Sequence, residues 1–156
     1  MAQELTLQQL LDGGPSVSVQ RVRIKGLEAL PPAAVSRLRS VEVLDVSGGS
    51  LQDLPANVSE LCCLKILFAS NNSFALAPCL RPLPSLTTVA FRSNRMLLLS
   101  SACLPQQLRW LILTDNLIQQ IPDEIGVRRV TPWPKAPQPC LLKPHASQDR
   151  ARSCKS

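Results

Sequence analysis

The residues able to do chemistry in this chain are few and far apart. Six cysteines (Cys62, Cys63, Cys79, Cys103, Cys140, Cys154) and one histidine, His145, are its soft metal ligands and its strongest candidate nucleophiles and bases. A zinc site needs four such ligands converging at about 2.0–2.3 Å, which in sequence shows as C-x-x-C pairs or Cys and His at short fixed spacing. Here Cys62 and Cys63 adjoin, the other cysteines have no C-x-x-C partner, and a single His joins them. Reduced thiols filling small buried gaps are expected in preference to disulfides or a metal. A Ser-His-Asp or Cys-His relay needs a histidine anchored by regular structure, and His145 lies in a proline-rich stretch. Asp123-Glu124 are more simply placed as the cap of a short turn after Pro122. No catalytic residue, no metal site, no cofactor and no enzymatic activity are expected.

What must hold the chain together is an aliphatic core. The 156 residues suffice for one domain, 45% are hydrophobic, and aromatics make up 3% with no Tyr. The net charge of +6 is unevenly placed. Residues 1–126 carry ten Lys/Arg and ten Asp/Glu, whereas residues 127–156 carry seven basic side chains against Asp149 alone. The basic character belongs to that last stretch, which has five prolines and no recognition motif and reads as a disordered tail, so specific nucleic-acid binding is not expected. Met1-Ala2-Gln3-Glu4-Leu5 lacks the basic and apolar runs of a secretory signal, and no window approaches the ~18 apolar residues of a membrane span. A cytoplasmic location without membrane contact is expected. The Asn57-Val58-Ser59 and Asn71-Asn72-Ser73 sequons matter only in a secreted chain.

Aligned on itself, the chain repeats a unit of the form apolar-x-x-apolar-x-apolar-x-x-Asn-x-apolar-x-x-apolar-Pro. Units start at Val41, Leu64, Leu86 and Leu108, at spacings of 23, 22 and 22 residues. This is the leucine-rich-repeat period. Places 4 and 6 (Leu44/Val46, Leu67/Ala69, Val89/Phe91, Leu111/Leu113) alternate as a short strand should, with one face toward a core. Asn at place 9 (Asn72, Asn94, Asn116) falls where the strand turns, so that its amide can pair with backbone groups of neighbouring units as a ladder. The pair at places 11 and 14 re-enters the core, and Pro55, Pro78 and Pro122, with Ser100 in the remaining unit, suit irregular or short helical turns on a convex side. A degenerate unit starting near residue 19, with Val22 and Ile24 on its strand, is two residues short before Leu27/Leu30/Pro31. Ahead of it Leu5, Leu7, Leu10 and Leu11 predict a helical N-terminal cap within residues 1–18. The expected architecture is an α/β solenoid over residues 19–126, with parallel strands on the concave face and the tail from 127 to 156.

Three stretches stand out: Val43-Leu44-Asp45-Val46-Ser47-Gly48, Leu64 to Phe74 and above all Leu108-Arg109-Trp110-Leu111-Ile112-Leu113-Thr114-Asp115-Asn116, whose Trp and Leu-Ile-Leu-Thr-Asp-Asn run the repeat does not demand. In these stretches the chain resembles leucine-rich-repeat proteins that carry a protein-kinase-like domain after the repeats. The resemblance covers roughly residues 19–126 and stops after Pro122-Asp123-Glu124-Ile125-Gly126, where the repeat pattern vanishes. A glycine-rich phosphate loop, a His-Arg-Asp catalytic loop and an Asp-Phe-Gly triplet are all missing from the sequence, so the resemblance implies repeats without kinase chemistry. Gly126-Val127-Arg128 is also what translation into an unspliced intron gives, and a second reading treats the chain as a truncated form of a leucine-rich-repeat kinase.

In such a solenoid the strand residues that avoid the core line the concave face. Val43, Ile66, Thr88 and Trp110 fill place 3; Asp45, Phe68, Ala90 and Ile112 place 5; Ser47, Ser70, Arg92 and Thr114 place 7; Gly48, Asn71, Ser93 and Asp115 place 8. Val43, Asp45, Ile66, Phe68, Thr88, Arg92, Trp110, Ile112 and Thr114 are the candidate contacts to a protein partner, Trp being enriched at interface hot spots. The competing reading is scattered apolar surface, or a face covered by the N-terminal cap or by a further domain. Arg21, Arg23 and Lys25 alternate toward the same face, either as a basic strip for an acidic partner or as charge defending an edge strand. The expected function is a protein-interaction module, with a signalling scaffold as its finer form.

Overall fold

The computed structural model of the chain describes residues 3–12 and 20–125. Six short strands form one parallel sheet in chain order: β1 (Gln3–Leu5), β2 (Arg21–Ile24), β3 (Val43–Asp45), β4 (Ile66–Phe68), β5 (Thr88–Ala90) and β6 (Trp110–Ile112). Equivalent places of successive units are register partners, as in Val43↔Ile66, Ile66↔Thr88 and Thr88↔Trp110. That register is what keeps every unit's apolar set on one side, since a slip of one residue would turn it to solvent.

Places 1, 4, 6 and 11 of three consecutive units form the core. Val41, Leu44, Val46 and Leu51, then Leu64, Leu67, Ala69 and Phe74, then Leu86, Val89, Phe91 and Met96 are all fully buried. Phe74 and Phe91 meet edge to face at 5.4 Å between ring centroids, the one aromatic pair among the described residues in an otherwise aliphatic stack. Return segments are helical or irregular and follow the prolines. Pro31 precedes α2 (Pro32–Arg37), with Pro32 in the first turn where a missing N–H costs nothing, and Pro55 precedes a 3₁₀ turn at Ala56–Glu60. Further 3₁₀ turns lie at Ser101–Cys103 and Asp123–Ile125.

At place 8 the strand must leave the sheet, and there the backbone is left-handed in every unit: Gly26 (φ 64°), Gly48 (78°), Asn71 (54°), Ser93 (53°) and Asp115 (61°). Gly, Asn and Asp are the residues that visit this region most cheaply. The place-8 side chains assigned from sequence to the concave face therefore answer first to the turn. Gly49 explains the absence of Asn at place 9 of its unit. A Cβ there would stand 2.3 Å from the Leu27 carbonyl oxygen, because the shortened unit before it returns two residues early and brings its backbone inward.

The N-terminus departs from the helical cap that the leucines predict. Gln3–Leu5 is strand, and the helix α1 (Leu7–Leu11) is a single turn and a half behind it. Thr6 starts α1 through a capping box: its Oγ1 accepts from the Gln9 N–H at 3.3 Å while Gln9 Oε1 accepts from the Thr6 N–H at 2.9 Å. Of this helix only Leu10 is buried. Strand wins over helix before Thr6 because β2 would otherwise leave a row of backbone donors and acceptors open, and pairing Gln3–Leu5 with Val22–Ile24 satisfies them. Consequently β2 is an interior strand. The predicted tail at 127–156 and the start of the first unit near residue 19 lie outside the described residues.

A candidate protein-binding surface on the concave sheet

Strand alternation places the candidate side chains in two lateral rows. Register puts Val43, Ile66, Thr88 and Trp110 side by side in one, and Asp45, Phe68, Ala90 and Ile112 in the other. Neighbours in a row sit roughly 4.8 Å apart, the spacing of paired strands. In both rows the residue on β6 is the most exposed. Val43, Ile66, Phe68 and Thr88 are half-buried, whereas Trp110 is 68% and Ile112 41% exposed. Thr88 and the buried Ala90 are small, so β5 is the floor of a shallow trough about 10 Å across, walled by Ile66 and Phe68 on one side and Trp110 and Ile112 on the other. Arg92 and Thr114 lie exposed at the end of the trough, and among the described residues the Arg92 guanidinium has no ion-pair partner.

The opposite end of the same face is a set of closed charge pairs. Arg23 Nε lies 3.3 Å from Asp45 Oδ2, and Asp45 Oδ1 accepts from the Ser47 N–H at 3.0 Å. Lys25 pairs with Glu4, whose carboxyl is held below the usual range by the hydrogen bond from the Lys25 ammonium, with its charge next. The strip Arg21–Arg23–Lys25 is thus neither a free basic patch nor an edge defence, since two of its three charges are matched and β1 covers its edge. Of the nine candidate contacts, Asp45 is the one already engaged. Glu4 was missed from sequence because three residues of strand carry no readable alternation.

Behind this face the three asparagines tie units together. Asn72 Oδ1 accepts from the Leu51 N–H at 3.1 Å and its Nδ2 donates to the Val46 and Ser70 carbonyls. Asn94 repeats this with the Phe74 N–H at 3.2 Å and the carbonyls of Ala69, Phe91 and Arg92. Asn116 does so with the Met96 N–H at 3.1 Å and the carbonyls of Phe91, Leu113 and Thr114. Each amide spans two units, which fixes the spacing of the strands that carry the trough.

A second group of exposed leucines, Leu76, Leu97 and Leu98, lies on the return segments, where Leu76 and Leu98 form an isolated parallel bridge. Cys62, Cys63 and Cys79 are exposed free thiols and not the fillers of buried gaps expected from the sequence, the core closing without them through aliphatic and Phe side chains; no group of three metal-binding side chains occurs among the described residues. Among the same residues, no helix is long and apolar enough to cross a membrane.

No family model matches the chain. Among curated proteins it is similar to the PH domain leucine-rich repeat-containing protein phosphatase 1 of Mus musculus and its counterpart in Rattus norvegicus, each 25% identical over 108 residues. The match to that of Homo sapiens is 25% identical over 99 residues. These alignments take in 69%, 69% and 64% of this chain but 6% of each relative, so the likeness is one of repeats and reaches none of the rest of those proteins. Among solved structures, a leucine-rich-repeat protein of Leptospira interrogans superposes with a TM-score of 0.61 at 22% identity, over 79% of this chain and 34% of that one. The fold is an α/β leucine-rich-repeat solenoid. The name of the phosphatase relatives places repeats beside a PH domain and a phosphatase, and nothing in these matches joins this chain's repeats to a kinase-like domain.

Proposed function

We propose that this solenoid recognises a partner protein through the C-terminal half of its concave face, with Trp110, Ile112, Ile66 and Phe68 as apolar anchors around the β5 trough and Arg92 and Thr114 as a polar rim. The observation that carries this reading is the exposure of Trp110 and Ile112 beside Ile66 and Phe68 on a face whose ion pairs are gathered at the other end. Large apolar side chains grouped on one exposed face mark interaction sites more often than chance surface, and a polar rim around an aromatic anchor is the arrangement of binding hot spots. Thr88 and Asp45 shape the face, one as floor and the other as the boundary of the charged end. A folded signalling domain is the partner class, and a protein-kinase-like domain, which the repeat resemblance implies, is the first to test. Exposed thiols at Cys62, Cys63 and Cys79 suit the reducing cytosol.

The test is affinity capture with the whole chain and with the Trp110→Ala/Phe68→Ala double variant. Neither side chain is fully buried, so the variant keeps its circular dichroism while a captured partner is lost by tenfold or more in affinity, about 1.4 kcal/mol or more. Equal capture by a folded double variant removes the concave face as the site.

A further inference from the structure

Beyond the apolar rungs of the concave face, the next row of side chains holds one cation among hydroxyls. Place 7 reads Ser47, Ser70, Arg92 and Thr114 across the strands. The chain is still in the ladder there, since the Asn71 N–H donates to the Arg92 carbonyl at 2.8 Å and the Ser93 N–H to the Thr114 carbonyl at 3.0 Å. Arg92 thus follows Thr88 and Ala90 on one side of β5 at two-residue steps of about 6.6 Å, with Ser70 and Thr114 about 4.8 Å to either side. No carboxylate of the chain answers it. Asp45, two strands away, is taken by Arg23, and Asp115 in the neighbouring turn accepts from Ser93 Oγ at 2.7 Å. Arg95, three residues on, is exposed as well, and neither guanidinium has an ion-pair partner among the described residues. Arg23, Lys25, Arg39 and Lys65, by contrast, are each matched by a carboxylate.

What can reach Arg92 is set by the trough that leads to it. Its walls stand two strand spacings apart, about 10 Å, before their side chains are counted. An α-helix with its side chains, about 10–12 Å across, would ride on those walls and leave Thr88 and Ala90 uncovered. An extended segment lying along β5 instead inserts one row of side chains, at the same two-residue period as the floor beneath it. At the end of that row the guanidinium, charged at any physiological pH, offers a planar fork that takes both oxygens of one carboxylate.

We infer that the part of the partner held by this face is an extended acidic segment whose side chains run apolar-x-apolar-x-Asp/Glu, in either chain direction. The two apolar side chains enter between the walls of the trough, and the carboxylate pairs with Arg92. This rests on the concave-face reading above and adds the chemistry of what binds there. A Lys or Arg at the acidic place would instead meet an unmatched like charge, so the arrangement selects as well as holds. Because the pair forms at an exposed rim, its contribution falls as salt rises.

The probe is a library of random dodecapeptides displayed as N-terminal fusions, which offer no free C-terminal carboxylate, selected on the whole chain. Asp or Glu two residues from an apolar-x-apolar pair is expected at about fivefold or more over its frequency in the library. Synthesised with an amidated C-terminus, the best of these peptides should bind Arg92→Glu about tenfold more weakly at low salt, and the difference should shrink at high salt. The same peptide with Lys in place of its acidic residue should regain binding to Arg92→Glu. The ladder uses the Arg92 backbone carbonyl and the side chain is exposed, so this variant keeps its circular dichroism. Selected peptides that lose the Trp110→Ala/Phe68→Ala variant yet tolerate Arg92→Glu, with no acidic preference, overturn the acidic segment and leave the apolar site standing. Peptides indifferent to both variants overturn both readings. A selection that yields no binding peptide overturns the extended segment, and the capture experiment above then judges the face by itself.

Discussion

Asn94 shows how much of the fold one side chain can hold. Its amide satisfies the Phe74 N–H and the carbonyls of Ala69 and Phe91, groups in a dry interior where an orphaned donor or acceptor costs about 1–3 kcal/mol. Asn94→Ala is expected to destabilise the domain by about 3 kcal/mol in urea unfolding. Asn116→Ala, at a half-exposed position of the last unit where water can replace the amide, should cost about 1 kcal/mol. The ladder was legible in sequence because Asn recurs at one place of the period, and the reason for Asn is local and geometric. Place 8 was not legible in the same way. Gly, Gly, Asn, Ser and Asp share no side-chain chemistry, only tolerance of positive φ, so these residues read as surface rather than turn. Ser93 is the poorest fit of the five, and Ser93→Asn is expected to raise stability by about 0.5 kcal/mol, seen as a higher unfolding midpoint.

At the scale of elements, joins between units are where sequence and structure diverge. Strands β3 to β6 follow from the alternation at places 4 and 6, and α2 and the Ala56–Glu60 turn from the prolines ahead of them. Strand β1 could not be read, since three residues carry no period and its pairing is decided by the neighbouring strand's need for partners. Gly49 sits at another such join. Gly49→Ala forces a methyl to 2.3 Å from the Leu27 carbonyl oxygen and is expected to cost at least about 2 kcal/mol, whereas Gly48→Ala, with open space around it, costs only the left-handed strain of about 1 kcal/mol. On the convex side, Arg39 from the end of α2 bonds Glu60 of the adjacent turn, and that hydrogen bond holds the Glu60 carboxyl below its ordinary value. A depressed carboxylate stabilises the fold above its unfolded pKa and loses that contribution as pH falls through the folded one. NMR titration should therefore place Glu60 below the usual glutamate midpoint, and Arg39→Met should move it back up.

For the whole molecule, stability is a chain of unit-to-unit interfaces and function a property of where its apolar rows come to the surface. Hydrogen exchange is expected to be slowest in β3 to β5, whose core residues are fully buried and which pair with a strand on each side, and to quicken in β6, whose Leu111 and Leu113 remain partly exposed. The concave rows are legible in the sequence because a parallel sheet in register turns a column of the repeat into a row on a surface. The closed ion pairs Arg23–Asp45 and Lys25–Glu4 are not, because they join strands whose relative positions depend on β1 and on the shortened first unit. The face that remains for recognition is thereby narrower than the alignment columns, running from Ile66 and Phe68 to Trp110 and Ile112. Hydroxyl-radical footprinting of the chain with and without its bound protein partner tests this most directly. Protection of Trp110, Ile112 and Phe68 by fivefold or more, with Leu97 and Leu98 on the return segments unchanged, is the expected result; protection of those leucines with Trp110 left open would contradict it.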